Sequence, residues 1–331
     1  MSTSSPEPKP YSRIAILGAG AWGTALALTA RAAGRETQLW VRETEVLESI
    51  RETRRNPFLP GVEMPADLRV TGDLKETAKA EALLVVVPAQ VLGEFITRIA
   101  PLIAPAAPLV ICAKGIEKNT GRLIHEIAAA AAPSAAIALL SGPSFARDVA
   151  RGLPTAVTIA AHDEIAARLQ VSLSTPAFRP YASDDVAGVA LGGAAKNVYA
   201  IACGVVEGMG LGENARAALL ARSFAELSRL GEALGARRET LMGLSGLGDL
   251  VLTATSKSSR NFSYGVALGE GTKPAGALAE GVDTAPALVA RAKAVGVEMP
   301  IAEAMADLLS GALPLGEAML RLMSRPLKTE K

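Results

Sequence analysis

The sequence has little of what builds covalent staples or metal sites. Of its 331 residues only two are cysteine and two are histidine. Cys112 and Cys203 stand far apart in apolar sequence and neither belongs to a CxxC pair, which argues against a disulfide framework or a zinc site. His125 and His162 add no metal cluster, so no metal is expected. An excess of charge is also missing: Lys and Arg number 34 against 33 Asp and Glu, a formal net charge of +1. Such a chain offers no field for gripping a nucleic-acid backbone or an acidic membrane, and any anion it binds should be small and held locally. The partner to expect is a small molecule. Long hydrophobic runs are absent too. Ile124 to Leu140 is broken by Pro133, and Val186 to Val206 is interrupted by Lys196 and several glycines, so neither reaches the unbroken length that spans a bilayer. The opening MSTSSPEPKP lacks the basic start and apolar stretch of a signal peptide. Residues 1–11 read as a disordered tail and the protein as soluble and cytoplasmic. No internal repeat and no charge block stands out.

What is present is a change of texture. The length exceeds what one core usually supports, so two domains are expected. Arg13 to Leu17 (RIAIL) is a short apolar run, GAGAWG follows, then an alanine-rich helical pattern to Ala33 closed by Gly34, then QLWV at 38–41. That is strand, glycine turn, helix and strand, a βαβ unit with parallel strands. Further buried strands are predicted at 83–87, 109–113, 137–140 and 156–160. After about Asp185 strand runs nearly vanish and periodic alanine- and leucine-rich segments take over, such as 215–234 and 302–323. The fold class is therefore α/β: an N-terminal Rossmann-type doubly wound sheet over 12–186, followed by an all-α C-terminal domain over 187–331. The apolar helices of that second half suit either a homodimer interface or a core.

Gly18, Gly20 and Gly23 form GxGxxG straight after a strand and at the head of a helix. This is the context in which glycines permit a tight turn and close approach to a pyrophosphate, whose charge rests on the helix N-terminus. Ala21 lies within that turn, and Trp22 either covers the cofactor or packs in the core. At the end of the second strand an acid would receive ribose hydroxyls and an arginine a 2'-phosphate. The chain reads VRE there, so Glu43 and Arg42 leave the choice between NAD(H) and NADP(H) open, with a lean toward NADP(H). Ligands in such folds bind beyond the carboxyl ends of the strands. Three places qualify: Val87-Pro88 as cofactor wall, Lys114-Gly115 as a cation at the functional edge, and the SGPSFA stretch from Ser141 to Ala146, with hydroxyls and amides for an anion.

In the second half, GGAAKNVYAIACG places one cation, Lys196, among small residues. It is either a surface lysine whose amine reaches water or a half-buried amine tuned for proton transfer. GLSGLGDL carries a single acid, Asp249, which a helix N-cap would also explain. TATSKSSRNF clusters hydroxyls with Arg260 and Asn261, donors suited to a phosphate.

Taken in order, GAGAWGTALA, the KG at 114–115, GPSFA, GGAAKNVYAIACG, GLGDL, SSRN and AEGVDTA make the chain resemble the bacterial NAD(P)-dependent glycerol-3-phosphate dehydrogenases from about Arg13 to Arg325. The resemblance implies reversible hydride transfer between NAD(P)H and dihydroxyacetone phosphate, giving sn-glycerol 3-phosphate for phospholipid synthesis. It implies Lys196 as the general acid/base. It implies substrate contacts at Lys114, Gly142, Ser144, Asp249, Ser259, Arg260 and Asn261, with Asn197 beside the lysine. Cofactor contacts are implied at Trp22, Arg42, Lys114, Ala146, Arg260, Leu278 and Glu280, beside the glycine turn. Trp22 fills a position that is often Phe or Tyr in that family. Two rivals remain. A β-hydroxyacid dehydrogenase shares the architecture and a helix lysine, but carries Asn four residues after it, where this chain has Ala200. A non-catalytic NAD(H)-sensing module would leave Lys196 and the SSRN cluster idle.

Overall fold

The short apolar runs form strands because each is flanked by turn residues and buried on both faces, as parallel strands require. In the computed structural model, which describes residues 8–274 and 279–323 (backbone alone at Asp163, Leu322 and Met323), eight strands make one sheet. They are β1 (Arg13–Leu17), β2 (Glu36–Trp40), β3 (Arg69–Thr71), β4 (Ala82–Val85), β5 (Leu109–Ile111), β6 (Ile137–Ser141), β7 (Thr155–Ala160) and β8 (Phe178–Ser183), in the order β3-β2-β1-β4-β5-β6-β7-β8. Strand order reverses between β1 and β4, the switch point at which doubly wound sheets open a crevice. All pairings are parallel except β6 with β7. That reversal keeps the whole 142–154 connection at the carboxyl edge of β6. Two strands escape the hydrophobic pattern. β3 is only three residues long, and β8 (FRPYAS) contains Pro180, which an edge strand tolerates because it needs fewer ladder donors.

The sheet is accompanied by α1 (Ala21–Ala32), α2 (Thr44–Thr53), α3 (Leu74–Thr77), α4 (Leu92–Ile99), α5 (Ile124–Ala131), α6 (Ala146–Ala150) and α7 (Asp163–Leu173). Ile14, Ile16, Leu39, Leu84 and Val110 are fully buried in its core, each side chain contributing about 1.5–3 kcal/mol by burial. Tyr11 belongs to this core. It is buried, its amide donates to Ser172 Oγ at 2.8 Å, and the Arg168 guanidinium lies 4.0 Å from its ring centroid. The expected tail therefore stops short of Tyr11.

The second half is helical: α8 (Val186–Gly208), α9 (Gly212–Ala233), α10 (Arg238–Met242), a π-helical turn (Leu244–Gly248), α11 (Asp249–Ala254), α12 (Arg260–Gly269), α13 (Glu280–Ala294), α14 (Pro300–Ser310) and α15 (Leu315–Met323). The periodic segment 302–323 is two helices, because Gly311 in the left-handed conformation (φ 77°) closes α14. α8 is long and apolar enough to cross a bilayer, yet its apolar window is wholly buried inside the protein. Its small residues serve packing. A Cβ on Gly204 would lie 2.1 Å from the Phe262 carbonyl oxygen, and one on Gly265 would lie 2.0 Å from that of Ile201, so α8 and α12 meet backbone to backbone. Both cysteines are free and buried; burial pushes the Cys203 thiol up to about 12 and Cys112 higher still, so each stays an inert thiol.

The chain divides into two units. A sheet unit holds the described residues up to Lys114 together with Ile124–Ala190, and a helical unit holds Gly115–Leu123 and the described residues from Leu191 on. Residues 115–123 form an excursion that the change of texture near 186 does not reveal. It is held in the helical unit by Lys118 to Asp283 (3.6 Å) and by Arg291 Nη1 donating to the Gly121 carbonyl (3.1 Å).

One buried carboxylate ties the helical unit together. Glu226 is 2% exposed and accepts the amides of Ile301 (2.8 Å) and Ala302 (3.3 Å), the unsatisfied donors of the α14 N-terminus. The Tyr199 hydroxyl lies 3.5 Å from it, and burial, then the Glu226 charge, hold that phenol well above its usual range, so it stays a donor. Glu226→Ala strands these donors and should cost on the order of 3 kcal/mol. The check is the urea midpoint of the helical unit by circular dichroism, where an unchanged midpoint would refute the tie.

Candidate active site

The β1–α1 turn is built by backbone contact. Gly18 has φ 124°, and a Cβ there would lie 2.4 Å from the Val86 carbonyl oxygen; one on Gly23 would lie 1.8 Å from the Gly18 carbonyl oxygen. These two glycines close the turn. Gly20 differs: a Cβ there would meet nothing within 4 Å, so the protein's own packing gives no reason for its glycine. It is the N-cap of α1, where no side chain caps the helix and no acid sits in the first turn. Bare backbone with unclaimed amides, from Gly20 through Ala21, fits a pyrophosphate. Trp22 is half-buried against the sheet's core, which accounts for it by packing.

Other expected residues follow strand ends. Arg42, after β2, is 71% exposed at its side chain, and its Nε and Nη2 both donate to Glu43 Oε1 at 2.8 and 2.5 Å. Pro88 is exposed after β4. Lys114, after β5, donates from Nζ to the Gly142 carbonyl at 3.1 Å, and Ser144 Oγ donates to the same oxygen at 3.0 Å. Gly142 has φ 145°, and a Cβ on it would lie 2.9 Å from Val157 Cα, so this loop is pressed onto β7. Lys114, Gly142 and Ser144 thus form one group, and Ala146 opens α6 just beyond it.

In the helical unit the ambiguity over Lys196 is resolved by burial. The residue is 7% exposed. Its Nζ donates to Asp249 Oδ1 at 2.6 Å and to Thr253 Oγ1 at 2.9 Å, and Thr253 Oγ1 donates to Asp249 Oδ1 at 3.2 Å. Asp249 is 1% exposed; it begins α11 and serves the lysine, which a surface N-cap would not do. Thr253 escaped the sequence reading as a site residue, although Asp249 and Thr253 stand four apart, the spacing that puts two side chains on one helix face.

A second buried network lies beside the first. Asn197 Oδ1 accepts from Asn261 Nδ2 (3.0 Å), Asn197 Nδ2 donates to Glu280 Oε2 (3.3 Å), and Asn261 Oδ1 accepts the Gly281 amide (2.9 Å). Among the described residues, the second amide proton of Asn261 has no partner. Ser259 is the buried N-cap of α12, its Oγ accepting the Phe262 amide at 3.2 Å, which leaves its own hydroxyl proton free to be donated. Arg260, the first residue of α12, is exposed, with no side-chain partner among the described residues. Leu278 lies outside the described residues. Among them, no group of three or more His, Cys, Asp or Glu is arranged to hold a metal.

Known proteins resemble the chain along nearly its whole length. The family model for the NAD-dependent glycerol-3-phosphate dehydrogenase N-terminus matches residues 13–167, and that for the C-terminus matches 185–320. The chain is 54% identical over 328 residues to the glycerol-3-phosphate dehydrogenase [NAD(P)+] of Parvibaculum lavamentivorans, covering 97% of this chain and 98% of that protein. It is 56% identical to the Bradyrhizobium sp. protein of the same name, over 97% of this chain and 99% of that one. The crystal structure of glycerol-3-phosphate dehydrogenase from Coxiella burnetii superposes with a TM-score of 0.90 at 38% identity, over 96% of this chain and 99% of that one. A glycine turn that leaves α1 open, a buried lysine–aspartate pair and matches along nearly the whole chain place this protein among the oxidoreductases of the NAD-dependent glycerol-3-phosphate dehydrogenase family.

Proposed function

We infer that the protein catalyses reversible hydride transfer between NAD(P)H and dihydroxyacetone phosphate, giving sn-glycerol 3-phosphate, the three-carbon backbone of glycerophospholipids. The observation that carries this reading is the buried Lys196 amine, held 2.6 Å from Asp249. A dinucleotide at the β1–α1 turn supplies or accepts the hydride. Reducing a ketone places negative charge on its oxygen, and a proton donor beside that oxygen in a water-poor site lowers the barrier. Lys196 is that donor. Asp249 favours its ammonium form against the burial that opposes it. Thr253 fixes the amine's direction.

The phosphate end goes to Arg260, with the spare protons of Asn261 and Ser259 as neutral donors. Asn197 and Glu280 keep Asn261 in place through the buried network. In the sheet unit, Lys114 and Ser144 remain the substrate-contact candidates that the family resemblance names, held together around the Gly142 carbonyl. A module that only senses NAD(H) has no use for a lysine ammonium buried on a carboxylate. The β-hydroxyacid dehydrogenase spacing fails at Ala200.

On cofactor choice, our reading is that both dinucleotides bind, with NADPH favoured. Glu43 holds the Arg42 fork, so a 2'-phosphate must draw the guanidinium away from it, while the free 2'-hydroxyl of NADH donates to the carboxylate itself. The pair is exposed and worth little on its own, so either dinucleotide can displace it.

Dihydroxyacetone phosphate should drive NAD(P)H oxidation at saturating cofactor, and unphosphorylated dihydroxyacetone should be poorer in kcat/KM by at least about a hundredfold, because the phosphate contacts orient as well as bind. Comparable values for the two ketones would sink the phosphate grip. Arg42→Ala should weaken NADPH by about tenfold and NADH by much less, as one guanidinium–phosphate contact implies. Fluorescence titration of each cofactor reads this directly, and equal losses would return Arg42 to an ordinary strand-end residue.

A further inference from the structure

We propose that Gly192 is a positioning residue: its bare Cα lets the π-helical turn Leu244–Gly248 press onto α8, and this contact holds Asp249 at hydrogen-bonding distance from Lys196. The inference rests on the reading of Lys196 as proton donor and adds the device that aims it.

Two rows of residues, each spaced by four, meet along this contact. On α8, Gly192 and Lys196 share a face. On the facing segment, Ser245 lies in the π-helical turn, and Asp249 follows at the start of α11. The lower rung is backbone against backbone: a Cβ on Gly192 would lie 2.8 Å from the Ser245 carbonyl oxygen and 3.0 Å from Gly246 Cα. The upper rung is the 2.6 Å contact of Lys196 Nζ with Asp249 Oδ1. The segment is also tight within itself: a Cβ on Gly246 would lie 1.9 Å from the carbonyl oxygen of Leu241, five residues earlier. Its width is fixed by the Gly248 amide donating to the Gly243 carbonyl at 3.0 Å, the i to i−5 bond of a π turn, a geometry that recurs at functional sites. Ser245 is buried in it, and its hydroxyl has no partner among the described residues, so the Ser245 side chain is not what docks the turn. The docking contact is Gly192.

A methyl at 192 must move the turn outward by several tenths of an ångström to reach ordinary van der Waals distance. Asp249 moves with it, and a 2.6 Å contact tolerates no such shift without weakening. Alanine forms helix better than glycine, so fraying of α8 cannot explain a loss.

The test uses the full-length protein and five variants. Gly192→Ala should lower kcat for dihydroxyacetone phosphate reduction about tenfold, with KM for the ketone and Kd for NADH within twofold of the parent. In an Asp249→Asn background the same substitution should change kcat less than twofold, because the group it acts through is gone. Asp249→Glu alone should lose activity, since the spacing that Gly192 sets fits the shorter side chain, whereas Gly192→Ala/Asp249→Glu, with the turn displaced, should exceed Gly192→Ala. Equal fold-losses with and without the Asp249 carboxylate, or no loss from Gly192→Ala, would overturn the proposal. Should Gly192→Ala fail to fold, judged by its melting curve and NADH titration, Asp249→Glu decides, and parental kcat there overturns the proposal. A parent that does not reduce dihydroxyacetone phosphate at all would instead defeat the reading on which the proposal rests.

Discussion

An ammonium ion taken out of water must have a carboxylate against it, and the helical unit is arranged around that requirement. Lys196 and Asp249 are both nearly inaccessible. Removing either partner would leave a buried charge uncompensated, a loss of several kcal/mol, whereas a well-packed apolar pair in their place would be neutral or better for stability. The pair is therefore poorly explained by stability alone. It is well explained by a reaction that needs one proton at one atom, in a place where water does not compete.

The small residues of α8 follow from the same constraint. To bury the lysine, neighbouring helices must approach closely, and bare Cα atoms at Gly204 and Gly265 bring α8 and α12 into backbone contact. Asn197, one residue on from the lysine, is then joined to Asn261 and Glu280 in a network of amides and a carboxylate, the pairing that buried polar groups require. Tyr199 and Glu226 secure the same helix to α9 and α14. One apolar helix thus carries the buried lysine proposed as proton donor, part of the network that steadies Asn261, and the unit's structural anchor.

Much of this was legible in the residues, and the exceptions have physical causes. The glycine turn announced itself because a GxGxxG between a strand and a helix has few other uses. The central strands were readable as apolar runs, but β8 was not, since its edge position lets FRPYAS alternate and carry a proline. The periodic segment 302–323 is two helices, and periodicity does not show the break that one glycine and one proline impose. Residues 115–123 look like any loop after a strand; the tertiary contacts of Lys118 with Asp283 and of Arg291 with Gly121 show which unit they join. Thr253 was hidden inside a hydroxyl-rich stretch, where its role depends on Asp249 one helical turn earlier. The sequence offers Asn261 as a phosphate donor but does not show that the fold commits its carbonyl and one of its amide protons to neighbours.

Replacing Lys196 with methionine keeps the length of the stem, removes the charge and so isolates the proposed delivery of a proton by the buried amine. Lys196→Met should lower kcat for dihydroxyacetone phosphate reduction by on the order of 10² to 10⁴, while cofactor affinity and the melting temperature change little. Turnover within a few-fold of the parent, measured beside a normal melting curve, would contradict it.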